Sequence, residues 1–121
     1  MILVYLVFIR KNTYFTENKG KANLVYDSKT LDFGEIEVYK TAKREIYFSN
    51  EGKTPLIIYD IKSNCGCTKI NWDKEPVHNK KQGKIQISIK SNFSGYFNKS
   101  VYIFSNNIKS PDTIRVKAEF I

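Results

Sequence analysis

Lys84-Ile85-Gln86-Ile87-Ser88-Ile89-Lys90 decides the fold. Its three isoleucines occupy alternate positions and every residue between them is polar, which is the period of two of a strand with one face on a core. A helix repeats about every 3.6 residues and would spread the same side chains around its surface. Working outward, the same alternation recurs at residues 43–50, where Ile46 and Phe48 oppose Glu45 and Tyr47. It recurs again where Val101 and Ile103 oppose Tyr102 and Phe104, and where Ile114, Val116, Ala118 and Phe120 oppose Arg115, Lys117 and Glu119. Residues 24–27 form a short strand, and Leu31, Phe33 and Ile36 make another around Gly34, which permits a bulge or sheet switch. Residues 56–63 are the most apolar stretch. Their Leu56, Ile58, Ile61 spacing breaks the period by one residue and predicts a bulge near Tyr59 and Asp60. Residues 68–72 complete the set.

The segments between these strands are turn chemistry: Asn50-Glu51-Gly52-Lys53, a polar loop over residues 73–83, a turn at 92–95, and a loop over 105–112 that holds Asn106, Asn107 and Pro111. From Asn23 onward no stretch carries a helical stripe. About seven short strands without crossover helices predict an all-β, immunoglobulin-like antiparallel β-sandwich, with a closed barrel as the competing architecture. The chain divides into residues 1–22, an apolar and then polar segment, and one sandwich domain over residues 23–121.

The full length of 121 residues suits one core, and 41% apolar and 14% aromatic content excludes a disordered chain. The formal charge is +8, from 20 Lys and Arg against 12 Asp and Glu, which raises the question of an anionic partner. The basic residues are nevertheless dispersed. No run exceeds Lys80-Lys81, and Arg, the residue suited to bidentate phosphate contact, stands only at 10, 44 and 115, so nucleic acid is not the expected partner. Residues 2–9 are apolar but far shorter than the roughly 18 needed to cross a bilayer, so no transmembrane span is expected. Arg10 and Lys11 follow that run instead of preceding it; the segment reads as a remnant of an export signal, an added strand or a frayed end.

Catalytic signatures are missing. The single histidine, His78, lies in a polar loop beside Asn79 and Lys80, and no phosphate loop, His-x-x-x-His pair or nucleophile elbow occurs. No cofactor is expected and the chain is read as a non-enzyme. The chemically pointed feature is Ser63-Asn64-Cys65-Gly66-Cys67-Thr68. Two thiols at i and i+2 admit three roles: packed thiols or a quiet disulfide at a strand end with Gly66 permitting the turn, a disulfide for redox exchange, or two thiolates for a soft ion such as copper. A second kind of site is aromatic. Tyr47, Tyr59, Tyr96, Tyr102 and Phe104 include positions opposite the core face, where rings either cover a sheet or anchor a partner.

Taken together, Tyr26-Asp27, Leu31-Asp32-Phe33-Gly34-Glu35-Ile36, Phe48-Ser49-Asn50-Glu51-Gly52 with Pro55-Leu56-Ile57-Ile58, Asn64-Cys65-Gly66-Cys67-Thr68, Gly83-Lys84-Ile85, Gly95-Tyr96-Phe97-Asn98-Lys99 and Ser105-Asn106 resemble the bacterial domain of unknown function 1573 family. The resemblance covers residues 24–121 in the family's order. It departs at Asn64, where the family usually has Ser, and at Lys81-Gln82-Gly83, where Pro-Gly is usual. The resemblance implies an immunoglobulin-like sandwich, export to the cell envelope or exterior, and no established activity. The expected function is therefore a non-catalytic binding or structural module of the bacterial cell envelope, periplasmic, outer-membrane-associated or extracellular, with a protein partner. The alternative is thiol redox or copper handling at a motif made of Cys65, Gly66, Cys67 and Thr68.

Overall fold

The computed structural model describes residues 22–121, so the expectations for residues 1–21 lie outside the described residues. Eight strands follow in order: β1 (Leu24–Tyr26), β2 (Thr30–Ile36), β3 (Ala42–Asn50), β4 (Ile58–Ser63), β5 (Thr68–Trp72), β6 (Gln82–Ile89), β7 (Gly95–Ser105) and β8 (Asp112–Phe120). They form two four-stranded sheets, β1-β3-β6-β5 and β2-β8-β7-β4, and the sandwich class is as expected. Two details differ. The strand count is eight against about seven expected, and the first two strands belong to different sheets: Ser28 Oγ accepts the Thr30 amide at 3.2 Å and holds the chain as it crosses. The second sheet is also mixed, since β2 arrives from the opposite layer and lies parallel to β8 instead of returning through a hairpin.

Period-two burial builds the interior. Ile85, Ile87 and Ile89 are 0% exposed, and they meet Val101, Ile103, Ile114, Val116 and Phe120 from the other sheet. Both predicted bulges are present. In β2 the register shifts between Asp32 and Glu35, where Gly34 has φ +73° and donates its amide to Asp32 Oδ1 at 2.9 Å. That shift turns both Phe33 and Ile36 inward although they stand three apart. In β4 the register shifts between Ile58 and Asp60, which buries Ile58 and Ile61 together and leaves Tyr59 exposed.

The expected strand at 56–63 and loop at 73–83 need correction at their edges. β4 begins at Ile58, while Leu56 pairs with Val77 through reciprocal amide-to-carbonyl bonds of 2.8 Å. Val77 is buried there, because it is the residue that seals Leu56. Gly83 is not a loop residue but part of β6, opposite Phe48, and a Cβ on it would overlap the Phe48 ring. Asn50 fastens this end. Fully buried, its Oδ1 accepts the amides of Asn23 at 3.1 Å and Gly52 at 2.9 Å, and its Nδ2 donates to the carbonyls of Thr54 and Val77 at 2.8 Å each. The Asn-x-Gly turn thus organises three segments through one side chain.

Candidate functional site

The Cys-Gly-Cys motif is the link by which the chain leaves β4 in one sheet and enters β5 in the other. Local hydrogen bonds tighten it. The Cys65 amide donates to Ser63 Oγ at 3.2 Å, the Cys67 amide to Cys65 Sγ at 3.3 Å, and the Thr68 amide to the Cys65 carbonyl at 3.3 Å. Cys65 and Cys67 are joined as a disulfide with Cα atoms 5.3 Å apart, and both are half-buried against the edge of the core. Of the three thiol roles, copper binding would require this bond to be reduced first, because a metal ligand must be a thiolate. Gly66 is exposed, has no left-handed φ, and a side chain there would meet nothing within 4 Å. Beyond its two cysteine neighbours, then, no crowding demands glycine at this position. Thr68 places its hydroxyl in a buried position without a hydrogen-bond partner.

Beside the motif the two sheets part and leave a groove of about 690 Å³. Cys67 and Lys69 border it on one side, Ile89 and Lys90 on the second, and Phe97 and Lys99 on the third, where β7 crosses from the opposite sheet. Phe97 forms part of its wall with its ring edge-on to Phe120, centroids 5.8 Å apart. Phe93, 80% exposed, stands at the rim on the β6–β7 turn. No carboxylate lines this groove; the charge is that of Lys69, Lys90 and Lys99. A second depression, of about 430 Å³, is more acidic, with Asp32, Glu35 and Glu119 beside Lys117 and Tyr96.

The strand pairing gives the groove an unusual wall. β7 runs over residues 95–105, and β8 pairs with it from Gly95 to Ile103, but β4 pairs only from Val101 to Ser105. Among the described residues, the 95–100 stretch of β7 therefore has one strand neighbour, although β7 lies in the interior of its sheet.

The predicted aromatic sites do not converge. Tyr47 lies on β3 in the first sheet, while Tyr59, Tyr102 and Phe104 lie on β4 and β7 in the second. Tyr102 and Phe104 are half-buried, with Lys62 Nζ 5.9 Å from the Phe104 ring centre, and only Tyr96, 87% exposed, belongs to the one-sided 95–100 stretch of β7. His78 is exposed in its loop. Sequence reasoning missed the three groove lysines, since they come from β5, β7 and a turn and share no sequence pattern. Phe93 did leave a signal: a large apolar residue inside a polar Asn-x-Ser-Gly turn has no core to enter.

The family model described as a protein of unknown function, DUF1573, matches residues 24–120. The chain belongs to the DUF1573 family. No curated protein matches its sequence. Among solved structures, this DUF1573 domain is similar to a protein of unknown function from Porphyromonas gingivalis W83, with a TM-score of 0.73 and 19% identity over 84% of this chain and 48% of the other. It is also similar to the seventh PapD-like (ASH) domain of human CEP192, with a TM-score of 0.68 and 11% identity over 86% of this chain and 87% of that domain. A third likeness, to the VesB protease of Vibrio cholerae, has a TM-score of 0.61 and 4% identity over 90% of this chain and 34% of the protease. At these identities the likeness is one of fold. The DUF1573 chain spans about half the length of the P. gingivalis protein.

Proposed function

We propose that this DUF1573 domain is a non-catalytic protein-binding module of the bacterial cell envelope or exterior. The observation that carries the reading is the one-sided stretch of β7 beside the groove: a row of backbone donors and acceptors next to an apolar and basic cleft is what strand addition by another protein uses. The PapD-like and immunoglobulin-like architecture supports it, being a scaffold whose exposed edges and faces are available for contact. The Cys65–Cys67 disulfide supports the compartment, because such bonds persist outside the reducing cytoplasm. No helix among the described residues is long and apolar enough to cross a membrane.

The test is to tag the full chain in its native bacterium, fractionate the cells, and cross-link and isolate it from the envelope. Recovery of one protein partner in every replicate, from the envelope fraction, is the expected result. A chain confined to the cytoplasm, or one that enriches nothing over a surface-matched control, overturns the reading.

A second reading, thiol exchange, is favoured by one feature: Cys67 of the disulfide and the exposed Gly66 line the groove. A dithiol reductant would deliver two electrons, opening Cys65–Cys67 to two thiols as its own pair closes to a disulfide. Quantitative alkylation after brief treatment with a mild dithiol is expected under this reading, and resistance to reduction in the folded state removes it.

A further inference from the structure

We infer that the 95–100 stretch of β7 is a docking slot for an extended, acidic segment of a partner protein, which adds to the second sheet in the line that β4 vacates. The inference rests on the reading of the domain as a protein-binding module and names the surface and the chemistry of its partner.

Geometry fixes the direction. β4 runs antiparallel to β7 and leaves the sheet after Ser63, which pairs with Val101. An incoming strand that continues this line is antiparallel to β7 and faces residues 95–100, whose other side is already bonded to β8. Such a strand forms inter-strand hydrogen bonds at once, without unpairing anything among the described residues. Its inward side chains enter the groove between the sheets. There Phe97 and Ile89 offer apolar contact, and Phe93 stands free to close over the segment.

Charge selects the occupant. Lys69, Lys90 and Lys99 border the groove and no carboxylate does. The four ion pairs among the described residues involve Lys40, Lys62, Lys80 and Lys84, so the groove lysines are not neutralised by any of them. Three ammonium groups around one cleft attract carboxylates and repel a basic segment. The chain's own residues 2–9 carry no carboxylate and lead into Arg10 and Lys11, so they do not complement the slot, and a second copy would have to bring its +8 net charge up to the three lysines. Nucleic acid would meet no arginine and one exposed ring here, while the bonding capacity of the strand edge would go unused.

The test titrates the full chain with a probe octapeptide, acetyl-Thr-Glu-Thr-Val-Thr-Glu-Thr-Val-amide, followed by amide chemical shifts and fluorescence anisotropy. Controls are the same peptide with Lys for Glu, the peptide with alternate amides N-methylated, and a single-stranded oligonucleotide. The acidic peptide is expected to shift the amides of residues 95–100 and to bind about tenfold or more tightly than the lysine and N-methyl controls. Lys99→Glu is expected to weaken it by about tenfold or more and to favour the lysine peptide. Because Lys99 is half-buried, the exposed Lys90→Glu change repeats the test without risk to the core. Equal binding of acidic and basic peptides, shifts confined to the β5 edge or to the Tyr96 depression, tighter binding of the oligonucleotide, or concentration-dependent pairing of the chain with itself through residues 95–100 each overturns the inference. If the envelope partner is recovered equally by wild type and Lys99→Glu, the slot is wrong and the binding module stands. If wild type recovers no partner and binds no peptide, both fall.

Discussion

Replacing Asn50 by Ala removes four hydrogen bonds at one buried point, and the loss can be built up group by group. The Gly52 amide is buried and loses its acceptor, which costs about 1–3 kcal/mol. The Val77 carbonyl keeps the Leu56 amide as a partner, so its loss is nearer 0.5–1 kcal/mol, about the net value of one exchangeable bond. The Asn23 amide and the Thr54 carbonyl belong to exposed residues and are replaced by water at a similar cost of about 0.5–1 kcal/mol each. The total is roughly 2.5–6 kcal/mol, a large part of the stability of a domain this size. Urea unfolding followed by intrinsic fluorescence is the assay, with the midpoint falling at an unchanged slope. Asn50→Asp keeps the shape but turns the two Nδ2 donations into oxygen facing oxygen, so it is at least as damaging at pH 7 and milder in acid, where the buried carboxyl takes up a proton and regains one of the two donors. A loss below about 1 kcal/mol for Asn50→Ala would refute the reasoning, because the side chain would then not be holding β1, the 51–56 turn and Val77 together.

Three further expectations follow from single observations. Gly83→Ala drives a methyl group into the buried Phe48 ring and lowers stability by about 1–3 kcal/mol, measured by the same unfolding assay, whereas Gly66→Ala, with open space around it, changes stability by less than about 0.5 kcal/mol. Burial first, and then the charge of Asp112, holds the Tyr26 hydroxyl well above the ordinary phenol range, and that hydroxyl faces Asp112 without reaching hydrogen-bond geometry. The folded pKa is the raised one. Stability is therefore fully present below about pH 10, where unfolded tyrosine keeps its proton, and falls above it by up to roughly 1.4 kcal/mol per pH unit. Tyr26→Phe abolishes that component in paired alkaline unfolding curves. The Cys65–Cys67 loop is too short to restrict the unfolded chain strongly, so Cys65→Ser with Cys67→Ser costs only about 1–2 kcal/mol in thermal unfolding.

How far the sequence disclosed this molecule depended on whether a feature was local. Alternation in Ile85-Gln86-Ile87-Ser88-Ile89 and in the last strand is a property of neighbours, and so are the glycine that permitted a bulge at residue 34 and the three-residue spacing that announced the one near Tyr59. The separation of β1 and β2 into different sheets, and the parallel approach of β2 to β8, depend on which surface each short strand finds after the Ser28 turn, which no pattern in residues 24–36 encodes. Val77 looked like a loop residue because one apolar side chain among Asp73, Lys74, Glu75 and His78 carries no period; it is buried by Leu56, twenty-one positions earlier. The candidate site was half visible. Cys65, Gly66, Cys67 and Thr68 form a continuous motif, but the groove beside them exists because β7 outruns β4, a difference in strand length that appears only when the strands are paired.

Residue-resolved hydrogen exchange on the free full chain tests the open slot most directly. Amides of residues 101–104 lie between β4 and β8 or on β4, that of Ser105 donates to Ser110 Oγ, and all of them exchange slowly, whereas within residues 95–100 only the alternate amides directed at β8 are protected and those in between exchange at nearly unstructured rates. Uniform protection across residues 95–100 in the free chain would contradict the proposal, for it would mean that this edge of β7 is already occupied.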